Sequence, residues 1–231
     1  MPEFDWFYDE VRQVGTDFTD YDQVMQYDSN MGDRSAEIQK LIHIMKLDNT
    51  QTVLEIGTGT GSIAVGVAPS CKQVYAIDVS KPMLDYAAKK ARDHKVDNII
   101  FHQAGFLSYR HLGYPVTRIF SHYALHHLPD FWKSIALLKM YDQLEAGGML
   151  YIQDVVFSFP VRNYKASIDF WIENLRAGST FDEAELCTHI RDEYSTFGWI
   201  LEGMLRDVGF HIVKAEYSGY MYATYLCEKE G

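Results

Sequence analysis

Between Gln51 and Val156 short β-rich runs alternate with stretches of helical periodicity, and that alternation restricts the chain to few architectures. Thr52-Val53-Leu54-Glu55-Ile56 reads as a strand, closed by glycines at 57, 59 and 61. Ser62 to Ala68 follows as a helix stopped by Pro69. Gln73 to Ile77 is a second strand ending at Asp78, after which Ser80 caps a helix with Pro82 in its first turn. Met83, Leu84, Ala87, Ala88 and Ala91 give that helix an apolar stripe. Asn98 to His102 and Thr117 to Ser121 predict strands three and four, and Met149 to Val156 the fifth. Strands joined by helices in this way imply an α/β fold, a mostly parallel sheet with helices on both faces.

The flanks read differently. Residues 1–32 are rich in aromatics and acids (Phe4, Trp6, Phe7, Tyr8, Phe18, Tyr21, Tyr27) and are expected to fold as a lid over the sheet's ligand edge. Ala36 to Met45 predicts a helix leading into strand one. Residues 158–195 form an insertion, expected to be helical and to serve as a substrate lid, with Phe159, Tyr164, Phe170, Trp171, Phe181 and Tyr194. In 196–231, Phe197 to Val208 keeps helical spacing up to Gly209, and Phe210 to Tyr217 with Met221 to Glu228 predicts an antiparallel strand pair, for seven strands in all. No repeat or low-complexity linker interrupts this, so residues 1–231 are expected to form a single domain around a core at 50–156.

Composition narrows the function. A net charge of −11 repels phosphate backbones, so a nucleic-acid substrate is not expected. No apolar run approaches the roughly 20 residues of a membrane span, and Met1-Pro2-Glu3-Phe4-Asp5 lacks the basic-then-apolar layout of a signal peptide. The three widely spaced cysteines, Cys71, Cys187 and Cys227, read as free buried thiols in a reducing cytoplasm.

The informative segment is Glu55-Ile56-Gly57-Thr58-Gly59-Thr60-Gly61. Its glycines let the backbone turn sharply from strand to helix and let a ligand approach closely. Asp78 stands about twenty residues on, where a carboxylate can accept the ribose hydroxyls of an adenosine. Dinucleotide enzymes favour Gly-x-Gly-x-x-Gly, because the helix start receives a pyrophosphate. Here the spacing is Gly-x-Gly-x-Gly, preceded by Glu55. That carboxylate suits the ammonium of a methionine-derived sulfonium cofactor and would sit badly beside a pyrophosphate, which disfavours a nicotinamide dehydrogenase.

Val53 to Gly61, then Ala76-Ile77-Asp78-Val79-Ser80 with Met83, then Ala124-Leu125-His126-His127-Leu128, then Leu144-Glu145-Ala146-Gly147-Gly148 before strand five, resemble the Rossmann-like class I methyltransferases. The similarity is greatest to the small-molecule branch that includes the ubiquinone and menaquinone methylases. It implies S-adenosylmethionine as cofactor and a small, partly apolar metabolite as acceptor. It also implies that Gly57, Thr58, Gly59 and Gly61 line the methionine half, Asp78 the ribose, and Val79 and Met83 the adenine face, with Gly105 and Phe106 beyond them and Ser121 and His122 on the sulfonium side. One departure stands out. Where the family commonly has an acid for the adenine amino group, this chain reads Gln103-Ala104-Gly105-Phe106, which leaves the adenine to backbone groups, water and stacking.

His122, His126 and His127 raise the question of a metal, but no Cys or carboxylate lies at ligand spacing, and none is expected. His122, His126 and Asp154 are the candidates for a general base, with buried hydrogen bonding as the alternative role for each. His189 and Tyr194 are expected to pack or to face solvent, with the acceptor as the alternative. Two functions follow: an enzyme that methylates a small metabolite, or a non-catalytic module that binds S-adenosylmethionine or S-adenosylhomocysteine.

Overall fold

The computed structural model describes residues 6–12, 21–178 and 183–231. Helices α1 (Tyr21–Met31) and α2 (Ser35–Ile44) precede the core. The core runs β1 (Thr52–Ile56), α3 (Ser62–Val67), β2 (Gln73–Asp78), α4 (Lys81–Asp93), β3 (Ile99–Gln103), β4 (Val116–His122), α5 (Asp130–Gln143) and β5 (Leu144–Phe157). The insertion supplies α6 (Tyr164–Gly178) and α7 (Glu183–Asp192). The chain continues through β6 (Thr196–Phe197), α8 (Gly198–Asp207), β7 (Phe210–Ser218) and β8 (Tyr222–Lys229).

The sheet order is β3-β2-β1-β4-β5-β8-β7. The first five strands are parallel, and β8 lies antiparallel between β5 and β7. An eighth strand, β6, joins the end of β5 through Val156–Thr196 and Phe157–Phe197, a pairing too short to show as periodicity. Chain direction across the sheet reverses between β1 and β4, the place where open α/β sheets bind ligands at their carboxyl ends.

Alternation within the strands builds both layers of core. Leu54, Ile56, Tyr75 and Ile77 face one way and pack with Ala136, Leu137 and Met140 of α5 and Leu201 and Leu205 of α8. Val53, Val74 and Ala76 face the other way, against Leu41 and Met45 and against Ile63, Ala64 and Val67 of α3. Ser80 Oγ accepts the Met83 N–H at 3.3 Å, the cap expected from sequence. Pro69 ends α3 by diverting it into a 3-10 turn at Ala68–Ser70. Strand β5 starts earlier than its apolar run, because Leu144 pairs with Val116 before the register shifts and Met149 meets Arg118.

The flanks depart from the expected double lid. Trp6, Phe7 and Tyr8 place their rings 5.9, 5.0 and 6.0 Å from Trp132, pinning residues 6–12 to the start of α5. The insertion instead forms a satellite core of its own, with Phe159, Trp171 and Leu186 against Met221 and the Trp171 indole donating to Tyr222 Oη at 2.9 Å. Phe170 and Tyr164 face solvent. Phe4, Phe18 and Phe181, also named as lid aromatics, lie outside the described residues.

Gly61 shows how tightly the glycine loop is seated. Its φ is +74°, and a Cβ there would lie 2.6 Å from Ala87 Cβ of α4. Gly147 has almost the same φ, +73°, with open space around it. Gly147→Ala should therefore lose about 1–2 kcal/mol, the cost of a left-handed backbone, whereas overpacking should bring Gly61→Ala to a loss of about 2–4 kcal/mol. Urea unfolding of the two variants tests this, and equal losses would contradict it.

Candidate functional site

An open cleft lies where β1 and β4 part. Its floor is the β1–α3 loop, with Gly57 and Gly59 at φ +79° and +52°. A Cβ at Gly57 would sit 2.3 Å from Ala124 Cβ, so only glycine fits between the loop and the turn after β4. Gly59 has nothing within 4 Å of that position, so its backbone lies open to the cleft. Asp78 closes the loop from β2: one oxygen accepts Gly59 N–H at 2.8 Å and the other Ser80 N–H at 2.8 Å.

Of the residues singled out for the cofactor, Gly57, Gly59, Asp78, Val79, Met83, Gly105, Phe106 and His122 line the cleft. Glu55, Thr58, Gly61 and Ser121 stand behind its wall: Thr58 Oγ1 donates to Glu55 at 2.6 Å, and Gly61 serves the close approach of α4. The lining also takes in Glu10, Val11, Arg12 and Tyr27 from the N-terminal stretch expected over this edge, Ala124, His127 and Leu128 from the turn after β4, and Tyr123, which no sequence pattern marks. No described residue of the insertion lines it, so the roof comes from the N-terminal segment.

Burial sets the charge states. Glu55 is pushed up to about 8 by desolvation, which the Thr58 hydroxyl only partly offsets. Asp78 is also raised by burial, against the pull of the Ser80, Gly59 and Val79 amides. His122 is lowered to about 4 by desolvation, and its ring nitrogens have no hydrogen-bond partner among the described residues. The nearest carboxylate oxygen, from Glu37, is 3.9 Å away. His127 is lowered to about 3 by burial and by the neighbouring His126. Both imidazoles on the cleft are neutral at physiological pH.

His126 is different. Its Nδ1 meets Asp154 at 2.5 Å and its Nε2 lies 3.2 Å from Glu193, which directly follows α7. Desolvation would lower its pKa, but Asp154 and Glu193 outweigh it and raise the group to about 9. Asp154 also accepts the Leu125 and His126 amides at 2.8 and 3.2 Å and the Val155 amide at 2.7 Å. His189 bridges to Glu193 from the far side. With both nitrogens engaged and outside the cleft lining, His126 is a clamp rather than a base, and Asp154 has no free face to offer an acceptor. The metal question also changes. His122 and His126 share no helix, since one ends β4 and the other sits in a 3-10 turn. The carboxylate absent at sequence spacing arrives from Glu193, which brings ligand atoms of His126, His127 and Glu193 within 4.8 Å of one another.

Residues 53–148 match the model of a methyltransferase domain. An uncharacterized methyltransferase of Geobacillus thermodenitrificans is 28% identical over 203 residues, 87% of this chain and 89% of that protein. A SAM-dependent methyltransferase from Aquifex aeolicus superposes with a TM-score of 0.65 at 18% identity, covering 90% of this chain and 98% of that one. Magnesium protoporphyrin IX methyltransferase from Synechocystis, solved with bound SAH, gives 0.61 at 14% identity over 96% and 91% of the two chains.

The clamp has a definite pH signature. A histidine raised from 6.5 to about 9 contributes stability that is complete below pH 6.5 and lost as pH rises through 9. The difference in stability between the native chain and His126→Asn should be largest below pH 6.5 and shrink towards pH 9.5. Thermal melts across that range check it, and a pH-independent difference would mean that His126 is not charged in the folded state.

Proposed function

We propose that the chain is a class I S-adenosylmethionine-dependent methyltransferase that methylates a small, partly apolar acceptor held against His122 at the carboxyl end of β4, a reading supported by the methyltransferase-domain match over residues 53–148 and by its methyltransferase relatives. The observation that carries this reading is His122 itself, a buried neutral imidazole whose nitrogens have no hydrogen-bond partner among the described residues, on the wall of a cleft with apolar surface at Tyr123 and Leu128.

The cleft suits the cofactor. Gly57 and Gly59 leave room for the methionine half, and Asp78, which accepts the Gly59, Ser80 and Val79 amides, keeps a lone pair for a ribose hydroxyl. Val79, Met83 and Phe106 offer flat apolar surface for the adenine. Glu55, behind the loop, directs its field at the ammonium, directly or through water. When bound, S-adenosylmethionine supplies an electrophilic methyl on a sulfonium, so much of the rate comes from holding the acceptor in line. His122 accepts the hydrogen bond of an acceptor hydroxyl, aims its lone pair and takes its proton as the new bond forms. A neutral imidazole is the form compatible with an adjacent sulfonium, which an imidazolium would repel. The excess of acids argues against a nucleic-acid acceptor. The free thiols accord with a cytoplasmic reaction, with Cys71 and Cys227 buried as expected and Cys187 exposed, against expectation. No described helix is long and apolar enough to cross a membrane.

A methyl-labelled transfer screen against a metabolite extract, with mass identification of the labelled product, tests the activity. Label entering only a macromolecule would overturn the small-acceptor reading. Asp78→Asn should weaken S-adenosylhomocysteine binding by about 1–3 kcal/mol in calorimetry. Unchanged affinity would remove the ribose contact. His122→Asn should keep that affinity while kcat falls about 10²- to 10⁴-fold. Because His122 titrates near 4, the native rate should not drop between pH 8 and pH 6 as it would for an ordinary histidine.

A further inference from the structure

We propose that Glu10, carried in by the N-terminal segment, is the acid that reads the 6-amino group of the cofactor's adenine, a proposal that rests on the cofactor reading above. Gly105 follows β3 at the edge of the cleft and has no side chain. A Cβ built on it would lie 2.4 Å from Glu10 Oε2, 2.5 Å from Glu10 Cδ and 2.8 Å from Val79 Cγ1. The space that a side chain at 105 would fill is already occupied, by a carboxyl group 95 positions earlier in the sequence.

That carboxyl is held, not resting. Leu107 N–H donates to Oε2 at 2.8 Å and Ser108 N–H to Oε1 at 2.7 Å, while Ser108 Oγ takes the Gly105 N–H at 3.0 Å. Each Glu10 oxygen retains a lone pair beyond the amide it accepts. The segment is anchored on the other side of the cleft by its rings on Trp132 and by Tyr8 Oη, which reaches the His127 carbonyl at 3.4 Å. Residues 6–12 therefore form a strap across the cleft mouth, with Glu10 fixed at the β3 end.

Strand register says what this acid would meet. β2 and β3 run parallel with Asp78 opposite Gln103, so a ribose on Asp78 sends its base past Val79 towards residues 104–106. A planar base between Val79 and Phe106 presents its edge to Glu10. An exocyclic amine there donates to the carboxylate, and a 6-oxo group would set oxygen against oxygen. The strap thus makes recognition of adenine depend on its own closure.

Calorimetry with S-adenosylhomocysteine and its 6-oxo counterpart S-inosylhomocysteine, on the native chain, Glu10→Gln and Asp78→Asn, tests the idea. The native chain should prefer the adenine compound by about tenfold to a hundredfold, the worth of a charge-assisted hydrogen bond. Glu10→Gln should bring the two affinities within about threefold by weakening only the adenine compound. Asp78→Asn should weaken both equally. A Glu10→Ala, Gly105→Asp double variant should regain the preference, since the acid returns to the same space from the other side. If Glu10→Gln keeps the native preference, or loses both compounds equally, Glu10 merely braces the 105–108 turn and the proposal fails. If the native chain binds both without discrimination, the proposal fails while the cofactor reading stands. If it binds neither, the cofactor reading falls first.

Discussion

The site is organised around one buried carboxylate. Asp154, at the carboxyl end of β5, accepts three backbone amides and an imidazole nitrogen while almost fully removed from water. A charge so placed is tolerable only if its lone pairs are satisfied. Satisfying them fixes the Leu125–His127 turn and so the position of Ala124 over Gly57, where 2.3 Å separates Ala124 from an imagined Cβ. The glycine loop thus owes its shape to two carboxylates, Asp78 beneath Gly59 and Asp154 behind the turn that presses on Gly57.

The charge pattern of the cleft follows from the burial of the groups around it. Glu55 and Asp78 are raised by burial, and His122 and His127 are lowered by it. Each of these groups is shifted towards its neutral form, because desolvation outweighs the charges near it, such as Arg34 beside Glu55 and Glu37 beside His122. A sulfonium with an ammonium changes this balance in opposite senses. It draws protons off the two carboxyls and holds the two imidazoles neutral, so both shifts leave the site better matched to a cationic ligand than to a phosphate.

How much of this was legible in the sequence depended on distance along the chain. Strands β1 and β2 are buried along most of their length and announce themselves as short, mostly apolar runs, and the Ser80 cap lies within three residues of the amide it serves. The clamp joins residues 126, 154 and 193, and the strap joins residues 10 and 107. Periodicity reports which face of an element is apolar and is silent about which distant side chain will meet it. Aromatic content misled for the same reason: Trp171 and Phe159 were equally suited to roofing a ligand and to packing on Met221, and the structure uses them for the second.

The placement of the insertion then has a consequence for specificity. It touches the cleft only from behind, where Tyr194 N–H donates to the His126 carbonyl at 2.9 Å, its carbonyl receives the buried Lys133 ammonium, and Glu193 holds His126. Lys133 is in turn fixed by Asp130, and Thr196 donates to the other oxygen of Asp130. α7 is therefore wired to the wall that carries His127 and Leu128 without contributing a lining residue. Changes in α6 and α7 would reach an acceptor through the angle of that wall, while changes in residues 6–12 would reach the cofactor directly.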